Sequence, residues 1–112
     1  MTDHITRSEL RELLDTSAVT VVEALGAPYY ASGHLPGAIN IPHTEVKELA
    51  PELLPDKDAA IVTYCSNTAC PNSGVALAQL RKLGYTNVRK YAEGKQDWEE
   101  SGLPLHRAAA AA

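Results

Sequence analysis

The fold is decided by the stretch that runs from Ile61 to Ser73 and reads IVTYCSNTACPNS. Its first residues are β-branched and aromatic, and they predict a short buried strand over 60–64. Cys65 follows directly at the carboxyl end of that strand. A polar loop over 65–72 then leads to Ser73, which we expect to cap an Ala- and Leu-rich helix. In open α/β sheets, ligands bind beyond the carboxyl ends of the strands, so Cys65 occupies a candidate site.

Strands and helices alternate along the rest of the chain. A capping box formed by Thr6 and Glu9 predicts a first helix that ends near Asp15. The connection from Glu23 to Pro42 is rich in glycine and proline and is predicted to consist mostly of turns. Short strands are predicted at 19–22, 38–41 and 88–91, and helices at 73–83 and 95–101. The alternation predicts an α/β fold with a parallel sheet and helices on both faces.

One proline and one glycine refine this outline. Pro51 lacks a backbone N–H, so it is expected to divide the apolar segment 43–54 into two short helices. Gly84 follows the basic last turn of the helix over 73–83, as a C-terminal glycine does. Trp98 is expected to pack inward from the last helix, with the neighbouring acidic side chains facing solvent.

Length, charge and composition exclude several classes of protein. The 112 residues fit one domain, predicted to span 1–107, followed by an alanine tail over 108–112. A net charge of -4, from 10 Lys+Arg and 14 Asp+Glu, argues against a nucleic-acid partner. No apolar run suits a membrane span and no signal peptide is evident, so we expect a soluble, cytoplasmic protein. The scattered histidines do not pair with cysteine at zinc spacing, so neither a metal nor a cofactor is expected.

The loop after Cys65 leads to a helix start, where unpaired N–H groups and the positive end of the helix dipole are presented. These groups can stabilise a thiolate, which is the nucleophilic form of cysteine, and can hold an anion. The sequence therefore suggests an activated cysteine in an anion-accepting loop. A buried, inert cysteine beside a strand is the alternative.

Three segments together resemble the rhodanese family of single-domain sulfurtransferases. The first is GHLPGAINIP (residues 33–42), and the second is Tyr64-Cys65 with its loop and helix. The third comprises LGYTNV (83–88), EGKQDW (93–98) and GLP (102–104). They occur in order and at the expected spacing over nearly the whole chain.

The resemblance implies a five-stranded parallel sheet with helices on both faces. It also implies that Cys65 is the nucleophile that takes a sulfane sulfur from a donor such as thiosulfate or a thiol persulfide. A thiol, a protein thiol or cyanide would then accept that sulfur. The loop N–H groups would hold the persulfide and the donor oxygens, and they belong to Ser66, Asn67, Thr68, Ala69 and Cys70. Non-catalytic members of the family exist, which leaves a binding module as another possibility.

Two departures from the family pattern qualify this prediction. Glu23 and Leu25 stand where the family has Asp and Arg, so the expected ion pair between these positions is missing. The loop is about two residues longer than is typical and contains neither Arg nor Lys. Because a guanidinium fork is what binds a dianionic phosphate tightly, the related phosphatases and arsenate reductases are disfavoured. Thiosulfate is also a dianion, so a neutral or thiol-bound persulfide becomes the more plausible donor.

Three further residues have alternative interpretations. Cys70 is either a loop residue that fills space or a resolving thiol for Cys65, in which case the protein is a thiol redox protein. His34 is expected to hydrogen-bond the backbone of a long turn. Lys95 is interpreted as a solvent-exposed lysine, with attraction of an anionic donor as its functional alternative.

Overall fold

The computed structural model describes residues 4–107, so the alanine tail over 108–112 lies outside the described residues. Within them the chain forms nine elements in this order: α1 (Arg7–Asp15), β1 (Thr20–Glu23), α2 (Ala27–Ser32), β2 (Ile39–Asn40), α3 (Val46–Leu53), β3 (Ile61–Tyr64), α4 (Asn72–Lys82), β4 (Val88–Tyr91) and α5 (Gly94–Glu100). The capping box predicted at the start of α1 is present, with the Thr6 side chain accepting from the Glu9 N–H. None of the helices over 4–107 has the length and apolarity that crossing a bilayer requires.

The four strands form one parallel sheet in the order β2-β1-β3-β4, which confirms the predicted α/β class. The expectation of five strands is not met within residues 4–107. A single parallel bridge between His4 and Lys90 lies where a fifth strand would pair with β4, and the Ile5 N–H donates to the Lys90 carbonyl at 3.0 Å. Because Thr6 caps α1, the bridge does not continue into a strand between His4 and that helix.

Each face of the sheet carries its own hydrophobic core. Alternate residues of the central strands point to opposite faces, so Val21 and Val62 lie in one core while Val22 and Ile61 lie in the other. Leu10 of α1 and Trp98 of α5 belong to the first core. Residues of α3 and α4 belong to the second, among them Val46, Ala50, Ala76, Leu77 and Leu80. Glu23 and Tyr64, two residues beyond Val21 and Val62, therefore point toward the face covered by α1 and α5.

Two predictions about the connecting segments are wrong. The connection after β1 contains a six-residue helix, α2, because Pro28 lies in its first turn, where a proline suits a helix start and a missing N–H costs nothing. Pro51 lies inside α3 and does not divide it. The missing N–H of Pro51 removes only one interior hydrogen bond from this eight-residue helix. The helical hydrogen-bond pattern resumes after it, because the Leu54 N–H donates to the Ala50 carbonyl at 2.7 Å.

Candidate active site

Cys65 lies at the carboxyl end of β3, at the centre of the sheet, and its side chain is fully buried. The backbone N–H and the hydroxyl of Ser73 lie beside its thiol and lower the pKa of Cys65. Ser73 is not the helix cap expected from the sequence, because α4 begins one residue earlier, at Asn72. Its carbonyl instead accepts a hydrogen bond from the Thr63 hydroxyl at 2.9 Å, which ties the start of α4 to β3. The first turn of α4 is thus held against the sulfur.

The loop between Cys65 and α4 folds back on itself. The Cys70 N–H donates to the Asn67 carbonyl at 3.1 Å, and the Asn67 side chain accepts from the Ala69 N–H at 3.0 Å. This turn directs the Cys70 carbonyl at the active-site sulfur, so that the Cys65 thiol donates to it at 3.3 Å. The N–H groups of Ala69 and Cys70, which the sequence assigned to substrate, are engaged within the turn in this conformation.

The thiol of Cys65 is stabilised in its protonated form. Burial raises the pKa of Cys65, and the neighbouring Cys70 side chain raises it further. The hydrogen bonds from Ser73 lower this pKa, but they do not offset the burial. The helix start therefore meets the sulfur, as the sequence suggested, while the resting state is a thiol rather than a thiolate.

We predict that the Cys65 thiol titrates above the ordinary thiol pKa of about 8.5. The measurement is the ultraviolet absorbance of the thiolate as a function of pH in Cys70→Ser, which leaves a single cysteine. Adding Ser73→Ala should move the midpoint further up, since it removes a hydrogen bond that favours the thiolate. A midpoint below that of a free thiol would contradict this account of the resting state.

A buried carboxylate lies beside the same end of the sheet. Glu23 at the end of β1 is fully buried, and its Oε1 accepts a hydrogen bond from the Tyr64 hydroxyl at 2.7 Å. The Leu35 N–H donates in turn to the Tyr64 oxygen at 3.0 Å. Burial and the Glu23 carboxylate raise the pKa of Tyr64, so its hydroxyl stays protonated and remains a donor. This chain of bonds joins β1, β3 and the GHLPGAINIP segment.

Lys95 completes this network. Its ammonium lies 2.9 Å from Glu23 Oε2 and donates to the Tyr29 carbonyl of α2 at 2.8 Å. Within residues 4–107 no donor is aligned for a hydrogen bond to Glu23 Oε2, so the contact between Lys95 and this oxygen is an ion pair. The interpretation of Lys95 as a solvent-exposed lysine is wrong, because only 13% of its side chain is accessible. The family's ion pair between positions 23 and 25 cannot form here, because position 25 is a leucine. Glu23 pairs instead with Lys95, 72 positions later in the chain.

The start of α5 is packed directly on Cys65 and Ser66, the first residues of the loop. The N–H groups of Lys95 and Gln96 donate to the carbonyls of Cys65 and Ser66 at 3.0 and 2.9 Å. Gly94 permits this approach, because a Cβ atom at this position would lie 2.3 Å from the Cys65 carbonyl oxygen. Its φ of +65° also belongs to the left-handed region that favours glycine. The loop is thus anchored at both ends, by α5 at Cys65 and Ser66 and by Thr63 at Ser73.

An open pocket of about 370 Å³ lies next to this anchored segment. Ser66 and Asn67 contribute to it from the loop, and its other walls come from Leu25, Tyr29, Ser32, Lys95, Gln96, Glu99 and Glu100. Its one lysine is already paired with Glu23, while both glutamates are exposed. The pocket therefore offers little positive charge to an anion.

Sequence reasoning placed some of these residues correctly and missed others. His34 has the structural role expected, with Nδ1 2.9 Å from the Tyr30 carbonyl oxygen and its ring stacked on Tyr30 at 3.9 Å. Trp98 packs inward as predicted. Glu23 and Ser73 were not expected at the site. The one available signal for Glu23 was its position, because this carboxylate directly follows a run of three buried-strand residues.

The structure is thus a parallel α/β domain with a cysteine at the end of an inner strand, followed by the start of the next helix. The chain belongs to the rhodanese-like domain family, whose model matches residues 6–101. The fold agrees with that of a Bacillus halodurans protein, BH2092, at a TM-score of 0.87 and 25% identity over 95% of this chain and 77% of the other.

Two curated relatives of the chain carry the names of different classes of protein, a transcriptional regulator and a sulfurtransferase. An HTH-type transcriptional regulator of Mycobacterium tuberculosis is 36% identical over 96% of this chain, which corresponds to 46% of the regulator. A human thiosulfate:glutathione sulfurtransferase is 31% identical over 82% of this chain and 89% of its own length. The chain thus spans about half the length of the first relative and most of the second.

Proposed function

We propose that this protein is a sulfurtransferase that forms a persulfide on Cys65 and passes the sulfane sulfur to a nucleophilic acceptor. In the first step the Cys65 sulfur attacks the donor's sulfane sulfur, and the donor leaves as sulfite or as a thiolate. In the second step a thiol, a protein thiol or cyanide attacks the outer sulfur and restores Cys65. The observation that carries the proposal is the buried Cys65 at the end of β3, with Ser73 at the start of α4 beside its thiol.

The persulfide would be held by the loop. The internal turn from Asn67 to Cys70 engages the N–H groups of Ala69 and Cys70, and its hydrogen bonds do not use those of Ser66, Asn67 and Thr68. Reorientation of that turn would also release the N–H groups of Ala69 and Cys70 toward substrate. The relative named as a thiosulfate:glutathione sulfurtransferase supports this class of reaction.

The charges around the site favour a thiol persulfide over thiosulfate as the sulfur donor. The loop has no Lys or Arg, and the ammonium of Lys95 is engaged by Glu23 and by the Tyr29 carbonyl. The exposed Glu99 and Glu100 at the neighbouring pocket would repel a dianion. A charge-assisted hydrogen bond is worth roughly 1.5–3 kcal/mol, so its absence costs thiosulfate about tenfold or more in rate.

The test is the rate of sulfur uptake, followed by intact mass, from thiosulfate and from the persulfide of a low-molecular-weight thiol. We expect Cys70→Ser, in which Cys65 is the single cysteine, to gain one sulfur atom about tenfold faster from the thiol persulfide. Cys65→Ser should gain none, whereas Thr68→Arg, which adds a guanidinium at an exposed loop position, should accelerate uptake from thiosulfate selectively. Sulfur uptake by Cys65→Ser would overturn the assignment of the nucleophile.

The alternative of a non-catalytic binding module is tested by the same measurement. The regulator among the relatives shows that a similar sequence occurs within a longer protein of a different class. A binding module would leave Cys65 unmodified by either donor. Failure of both donors to load Cys70→Ser would therefore favour that alternative over the sulfurtransferase.

A further inference from the structure

The loop that follows Cys65 carries a second cysteine, Cys70, whose backbone contacts the Cys65 thiol. The turn from Asn67 to Cys70 brings the backbone of Cys70 to 3.3 Å from the Cys65 sulfur, although five residues separate the two in sequence. The presence of Cys70 also raises the pKa of the Cys65 thiol. Cys70 is partly accessible while Cys65 is fully buried, so the second thiol lies on the solvent side of the first.

The anchoring of the loop leaves Cys70 free to shift. Hydrogen bonds from α5 hold Cys65 and Ser66, and the Thr63 hydroxyl holds Ser73. Between these anchors, Thr68, Ala69 and Pro71 are exposed. Closing a disulfide requires Cα atoms about 4.4–6.8 Å apart, which adjustment of this exposed middle section can supply without moving β3 or α4.

We propose that Cys70 is a resolving thiol that converts the Cys65 persulfide into an intramolecular disulfide and releases hydrosulfide. This inference rests on the proposed function, because it starts from the persulfide. It adds a second outcome for the bound sulfur, which leaves as sulfide instead of passing to an acceptor as sulfane sulfur.

The step balances without an external oxidant. The Cys70 sulfur attacks Sγ of Cys65, the bond between Sγ and the sulfane sulfur breaks, and its electron pair leaves with the sulfane sulfur. The proton of the Cys70 thiol goes to the departing hydrosulfide, and the two cysteines are joined as a disulfide. The sulfane sulfur is reduced to sulfide while the two thiols are oxidised. A dithiol reductant then restores both cysteines, so the net reaction with thiosulfate yields sulfite, hydrosulfide and the oxidised dithiol.

The position of Cys70 makes attack at Sγ the favoured route. The Cys70 carbonyl lies 3.3 Å from the Cys65 sulfur itself, which becomes the inner sulfur of the persulfide. A thiol on the same short loop acts at an effective concentration in the millimolar range or above, so it competes with external acceptors. An external acceptor receives the outer sulfur only if it reacts faster than Cys70 does.

The experiment loads wild-type protein and Cys70→Ser with a thiol persulfide, removes the excess donor, and follows intact mass and released hydrosulfide. We expect the wild type to lose the added sulfur, to release one equivalent of hydrosulfide and to end two hydrogen atoms lighter than the reduced protein. Cys70→Ser should retain the sulfur about tenfold longer or more, since its only competing thiols are external. Circular dichroism of both proteins verifies that they are folded.

A displaced thiol serves as the matched control. Ala69→Cys combined with Cys70→Ser keeps a second cysteine in the loop but moves it by one residue, and we expect it to release hydrosulfide more slowly than the wild type. Equal release by this variant would overturn the positional argument. Equal persulfide lifetimes in wild type and Cys70→Ser would overturn the inference alone. Failure of Cys70→Ser and wild type alike to gain sulfur would overturn the proposed function together with it.

Discussion

Replacing Glu23 with alanine should destabilise the protein by about 3–5 kcal/mol, because it leaves the ammonium of Lys95 almost buried without its counter-charge. Glu23 is fully buried and only 13% of the Lys95 side chain is accessible. The substitution also removes the acceptor of the Tyr64 hydroxyl, which is equally buried. The measurement is the free energy of unfolding from denaturant titration under reducing conditions.

The partner substitution separates the charge from the packing. Glu23→Gln with Lys95→Met retains side chains of similar size without either charge, and it should recover a large part of the stability lost in Glu23→Ala. Lys95→Met alone should be destabilising, since it leaves the buried carboxylate unpaired. Glu23→Ala as stable as the wild type would show that the ion pair between Glu23 and Lys95 does not support the fold.

Gly94→Ala should be the most disruptive small substitution at the active site. Its Cβ would lie 2.3 Å from the Cys65 carbonyl oxygen, a backbone atom that cannot move aside without displacing the catalytic segment. Overpacking of this kind costs about 1–3 kcal/mol, in addition to the strain of a left-handed alanine. We expect the start of α5 to shift away from Cys65 and Ser66, with loss of both stability and sulfur uptake.

Gly37→Ala is the control for backbone strain. Gly37 also has a left-handed φ, of +76°, but no atom lies within 4 Å of where its Cβ would be. The difference in unfolding free energy between the two variants therefore isolates the contact with the Cys65 carbonyl. Equal destabilisation of both would refute the close packing of α5 on the catalytic segment.

The elements that the sequence predicted well are those whose signals are local. The capping box of α1 involves residues three apart, and the buried strands are marked by short runs of β-branched residues. The Cys65 position follows from the end of such a run. The helix α2 was missed because the proline and glycines of its segment suggest turns, although Pro28 in fact lies in its first turn.

The alternation of strands and helices predicted a parallel α/β sheet with Cys65 at the end of a buried strand, since each step depends on neighbours in the chain. The environment of that cysteine depends on contacts between distant residues, which no local pattern encodes. Glu23 meets Lys95 only because β1 and the start of α5 converge at one end of the sheet, and burial then holds the two charges together. The fold of the loop likewise decides that Cys65 faces Cys70 and Ser73 and rests as a protonated thiol, because burial outweighs the hydrogen bonds from Ser73.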